Sequence, residues 1–195
     1  MKKILCIATI VLMSFSPFHY GPVDIIGVKG PIIFNNIRFH LSRSEKAHVD
    51  YYIQKYTPIY QTLERFNELI SINVLIRNVS LEDAVRQKAG ELNKRQETDK
   101  ICSYSITKGT DGRESIIDYV LSTEKNDELT AVEFTISRYK EVELQDHTKA
   151  ILIYSYTKTA NGKDKIDFFT NLSKDRKKFM DLMNLQELPK IRIKE

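Results

Sequence analysis

Two carboxylates and a run of tyrosines are the residues whose types and spacing could do chemistry in this sequence. The polar run Thr123 to Glu128 reads as the turn of a β-hairpin, and a symmetric closure sets Asp118 directly opposite Glu133 on adjacent strands. Like charges so placed repel. Such a pair is kept when water screens it, when a cation lies between the carboxylates, or when one carboxyl retains its proton. Asp118 and Glu133 are therefore candidates for ligand binding, joined by Arg138 farther along the strand of Glu133. The plainer reading is a solvated sheet face, and a one-residue slip of register would separate the pair. Tyr51, Tyr52 and Tyr56, with Tyr60 close behind, form the second candidate group. Tyrosine suits the border of an apolar body and a wet edge, so these side chains either line a groove or cover a sheet.

Other chemistry finds little support. The chain has no His-Glu-x-x-His, Gly-x-Ser-x-Gly, Walker loop, dinucleotide fingerprint or Cys-x-x-Cys. His40 and His48 flank a turn and could approach each other, but two histidines without further ligands do not make a metal site. No catalytic residue, metal or cofactor is expected. Cys102, beside Tyr104 and Ile106, reads as a small buried apolar residue and not as a nucleophile. Lysines and arginines are scattered without interleaved aromatics, which argues against nucleic acid as partner.

The elements that must position these residues follow from periodicity. Cys102 to Thr107, Ser115 to Leu121, Leu129 to Tyr139 and Ala150 to Tyr156 alternate or run apolar as strands, separated by Gly109-Thr110-Asp111-Gly112, Thr123 to Glu128 and a charged connection, and ending at Asn161-Gly162. The last and most apolar of the four is expected to be central. Earlier, Pro31 to Leu41 reads as a hairpin about Asn35-Asn36, Val49 to Tyr56 as a strand ended by Pro58, Thr62 to Arg65 as one helical turn, and Ile70 to Ile76 as a half-buried strand. Ser80 precedes an apolar stripe of Leu81, Ala84, Val85, Lys88, Ala89 and Leu92 at helical spacing, with Asp83 placed to complete a capping box. A second helix is expected from Asp164, as N-cap, to Met183. The fold class is α+β: an antiparallel sheet of six to eight strands flanked by two main helices.

Met1-Lys2-Lys3 followed by the apolar run Ile4 to Phe15 has the basic and apolar regions of a secretory signal peptide. The expected organisation is a signal over 1–21 and one domain over 31–190. Without Lys2 and Lys3 the balance is 28 basic to 26 acidic residues, a net charge of +2. An exported chain, periplasmic or secreted, follows, touching a membrane only through its N-terminal segment if that segment is retained as an anchor.

The segments Arg65 to Ile70, Glu114 to Ser122, Val132-Glu133-Phe134 through Arg138-Tyr139, and Ile151 to Tyr156 resemble a family of small exported bacterial proteins of unknown function. The order of strands and helices is also similar to the PsbP-like superfamily, whose members serve as accessory or binding proteins; the likeness is topological, and fold does not fix function. These readings point to an exported accessory or binding protein for a protein partner or small ligand. The rivals are a metal-dependent or hydrolase-type enzyme using Asp118 and Glu133, and an envelope protein held by an uncleaved N-terminal segment.

Overall fold

Eight stretches of alternating or apolar sequence become strands and two stretches with apolar residues three and four apart become helices. In chain order they are β1 (Ile32–Phe34), β2 (Ile37–His48), β3 (Tyr51–Pro58), β4 (Glu68–Leu75), α1 (Leu81–Gln96), β5 (Ser103–Lys108), β6 (Glu114–Lys125), β7 (Glu128–Glu143), β8 (Lys149–Asn161) and α2 (Asp164–Leu185). This computed structural model describes residues 21–194 apart from Asn78, Thr110 and Asp111. The expected signal segment, 1–21, therefore lies outside the described residues but for Gly21.

The strands make one antiparallel sheet in the order β1-β2-β3-β4-β8-β7-β6-β5. β8 lies between β4 and β7, the interior position its apolar run predicts. The tight turns fall where the sequence offers residues that accept positive φ: Asn35 (49°) and Asn36 (60°) join β1 to β2, and Asn126 (54°) and Asp127 (63°) join β6 to β7.

Each face of the sheet carries its own helix. On one, α2 buries Phe168, Phe179 and Met183 against Phe34, Phe134, Leu152, Tyr154 and Tyr156. The Phe179 ring lies 4.7 Å from that of Tyr156, 6.0 Å from Phe134 and 6.4 Å from Phe34. Both ends of the domain reinforce this side. The amides of Arg192 and Lys194 donate to the carbonyls of Ile26 and Ile25, each at 2.9 Å, and Ile26 and Ile191 join the core. The packed unit thus reaches past both expected ends, 31 and 190. On the other face α1 rests on β5, β6 and β7 through Leu81, Ala84, Val85 and Leu92, which meet Cys102, Ile117, Tyr139 and Ile151. Cys102 is buried there, as its apolar neighbours predict.

Local differences from the sequence reading have physical causes. Thr62 to Arg65 is no helical turn; the amides of Thr62 and Arg65 each donate to the other's carbonyl in an isolated β-bridge. β2 runs on to His48 because it sits near the sheet edge, where a polar strand with irregular register is tolerated. α2 begins with Lys163 at its N-cap, without a side-chain cap, so Asp164 instead puts negative charge in the first turn. At α1 the cap holds: the Asp83 amide donates to Ser80 Oγ at 3.1 Å, and that hydroxyl donates to the Asp83 carboxylate at 2.7 Å.

Candidate functional site

The β6–β7 register decides the fate of the paired carboxylates. The turn centres on Asn126-Asp127, and a bulge beside Thr123 and Glu124 adds one residue to β7, so Asp118 faces Ile136 while Glu133 faces Leu121. The slip from a symmetric hairpin about 123–128 is three residues. Because side chains alternate, an odd slip sends the two carboxylates to opposite faces of the sheet. The expected apposition of Asp118 and Glu133 is therefore corrected.

Asp118 lies under α2, 1% exposed, with Oδ2 at 2.5 Å from Arg176 Nε; neither oxygen accepts a well-aligned hydrogen bond. Burial raises its pKa, and the Arg176 guanidinium offsets this only in part. Arg138 is also structural: its guanidinium pairs with Glu114 and donates to the carbonyls of Met183 (3.1 Å) and Gln186 (2.9 Å), closing the C-terminus of α2. A cleft of about 650 Å³ between the end of β7 and 186–192 includes Arg138, but that side chain is already engaged.

The tyrosines divide by the same rule of two. Tyr52 and Tyr56 point to the α2 face and are buried. The Tyr56 hydroxyl donates to the Val28 carbonyl at 2.6 Å and accepts from Gln54 Nε2 at 2.6 Å, fastening the N-terminal segment. Tyr60 is 75% exposed in the connection after β3. Tyr51 alone of the expected group faces the α1 side, and there it meets two tyrosines that local sequence did not bring together with it.

Between α1 and the strands emerging beside it runs a groove of about 530 Å³. Its floor is Tyr51 from β3, Asn73 and Leu75 from β4, Ile153 and Ser155 from β8, Tyr139 from β7 and Tyr119 from β6. Ala84, Gln87, Lys88 and Glu91 form its wall, since residues three and four apart share one side of a helix. His48, Asp50 and Arg77 close one end, where the Asp50 carboxylate contacts both Arg77 and, at 2.8 Å, His48 Nδ1.

A second recess of about 340 Å³ continues along α1; it shares Lys88 and Glu91 with the groove and adds Arg95, Glu133 and Thr159. Beneath α1, hydroxyls pair across β7 and β8: Ser137 with Ser155 and Thr135 with Thr157, each at 2.9 Å. Glu133 accepts from Thr135 Oγ1 at 3.0 Å.

Burial raises the pKa of the Tyr51, Tyr119 and Tyr139 phenols, and the Glu91 charge adds to the shift of each. Lys88 opposes it at Tyr51 and Tyr119. At neutral pH all three phenols are protonated, able to donate and accept hydrogen bonds and to offer ring faces, and poorly suited to carry a proton for catalysis. Among the described residues no group of three or more His, Cys, Asp or Glu is placed to hold a metal ion, and no helix is long and apolar enough to cross a membrane.

Glu91, Asn73, Tyr119, Tyr139 and Ser155 were not singled out as site residues by sequence reasoning, and Lys88 was read only as part of the stripe by which α1 packs on the sheet. The alternation of β6 and β7 gives the face of Tyr119 and Tyr139; what sequence lacks is the strand order that brings β3 and β4 to the same groove.

A family model matches residues 26–188. No curated protein and no solved structure matches the chain.

Proposed function

The chain belongs to an uncharacterised bacterial protein family, and from that premise we propose that it is an exported, non-catalytic binding protein whose small polar ligand seats in the groove beside α1. One observation carries the reading: Tyr51, Tyr119 and Tyr139, their phenols protonated, line one open concavity together with Asn73 and Ser155. Aromatic ring faces joined to a few polar groups are the usual make-up of a small-molecule site. The resemblance of strand and helix order to the PsbP-like superfamily of accessory and binding proteins, read from the sequence alone, favours the same class of function. Export is supported by the basic and apolar N-terminal segment. The enzyme reading lost its motive when Asp118 and Glu133 separated.

The test is a thermal-shift screen of small polar compounds on the purified protein, repeated on a variant carrying Tyr51→Phe and Asn73→Ala. Without ligand, the double variant should melt within about 2 °C of the parent, as solvent-edge changes usually do. A compound at a hundred times its Kd stabilises by about 2.7 kcal/mol, and this gain should vanish in the variant. Full stabilisation of the variant by every active compound would place binding elsewhere.

A further inference from the structure

Lys88 holds an unusual position in the groove. Its ammonium lies 5.0 Å from the centre of the Tyr119 ring and 3.2 Å from Glu91 Oε2, while Gln87 Nε2 orients the other Glu91 oxygen at 3.4 Å. An aromatic face beside a carboxylate is a site for an alkyl ammonium, and the protein's own lysine fills it. On the far side of Lys88, in the adjoining recess, Glu133 forms no ion pair among the described residues and accepts only from the Thr135 hydroxyl. Two carboxylates, Glu91 and Glu133, thus line the recess that also holds Lys88, whose side chain is 27% exposed, and Arg95, whose guanidinium is engaged by Asp99 and the Ser122 carbonyl.

We infer that the groove takes a linear aliphatic diamine or polyamine, one ammonium replacing that of Lys88 over Tyr119 beside Glu91 and the next reaching Glu133. The inference rests on the groove being the binding site and adds the chemistry of its ligand. A hydrocarbon spacer would pass Leu121, which lines the recess directly across from Glu133. Lys88 then acts as a tethered competitor, which the ligand must displace.

Calorimetric titration with spermidine tests this on the purified protein and on single variants. Lys88→Met keeps the stem and removes the competing charge; losing one cation–π contact and one exposed ion pair should tighten spermidine binding roughly tenfold. Lys94→Met, on an exposed part of the same helix, controls for net charge and should leave affinity within about twofold, as distant exposed charges are screened. Tyr119→Leu should lose binding, and Glu133→Gln should weaken it several-fold.

Equal affinity in Lys88→Met and the parent, or equal gains in Lys88→Met and Lys94→Met, would overturn the inference. So would binding of a neutral sugar or a carboxylate with no binding of amines; if that binding vanished with Tyr51→Phe and Asn73→Ala, the groove would stand as the site and only the amine assignment would fall. Failure of neutral, anionic and amine probes alike to bind the parent and Lys88→Met would overturn both.

Discussion

On the α2 face, Phe34, Phe134, Tyr156 and Phe179 pack ring against ring beneath a 22-residue helix and a strap made from both ends of the domain. On the α1 face, a 16-residue helix covers β5 to β7 and leaves a groove floored by tyrosine, serine and asparagine where β8, β4 and β3 emerge. Both surfaces belong to the same strands, and period two sends alternate residues to each. In β8, Leu152, Tyr154 and Tyr156 go to the sealed side, Ile153 and Ser155 to the groove. The α2 face carries the larger apolar cluster, open only at the cleft by the end of β7, and the α1 face carries a smaller cluster and, beyond it, the hydroxyls and phenols of the groove.

Substitutions on the two sides should therefore separate stability from binding. The largest effect belongs to Phe179→Ala, which removes a 2% exposed ring from the aromatic cluster and should cost about 3–5 kcal/mol. Asn73→Ala in the groove should change chemical-denaturation stability by no more than about 0.5 kcal/mol. A large loss from the second change would mean that the groove is part of the core and would break the comparison.

Two buried aspartates sharpen the contrast through pH. Asp99, in the connection from α1 to β5, accepts from the Ser122 amide (2.7 Å), the Ser122 hydroxyl (2.6 Å), the Ile101 amide (3.0 Å) and Arg95 Nε (3.2 Å). Burial alone would raise its pKa, but these donors outweigh that and hold it below the ordinary 3.8. Asp118, with only Arg176 beside it, is shifted upward. The signs are opposite. The Asp99 contribution is full above 3.8 and fades as pH falls through its folded pKa, whereas Asp118 weakens the fold as pH rises from 3.8 through its own raised pKa. At neutral pH Asp99→Ala should cost about 2–3 kcal/mol, since it strips acceptors from buried donors, and it should flatten the acid limb of the stability profile. Asp118→Asn should be neutral or stabilising by up to about 1 kcal/mol. Denaturant melts from pH 3 to 7 check both, and a large loss of stability in Asp118→Asn would contradict the assignment.

Much of this architecture was legible in the sequence because it is local. Alternation marks most of the strands, Ser80 with Asp83 marks the start of α1, and Asn35-Asn36 marks a tight turn. The pairing of Asp118 with Glu133 failed for a reason also local but nearly silent: a one-residue bulge and an off-centre turn, both invisible to hydrophobic pattern. The groove was hidden more deeply. Tyr51, Tyr119 and Tyr139 lie on β3, β6 and β7, and they meet only because β8 returns between β4 and β7, a choice fixed by the whole sheet. Polar wall residues such as Lys88 and Glu91 look like any solvated helix face until the strands opposite them are known.

The most direct measurement is an NMR titration of protein labelled at its tyrosine rings, with the ligand emerging from the screen. Ring signals of Tyr51, Tyr119 and Tyr139 should shift together and saturably, while those of Tyr52, Tyr56, Tyr154 and Tyr156, on the sealed face, stay in place. Saturable shifts confined to the sealed-face tyrosines, with the three groove rings unmoved, would contradict the account.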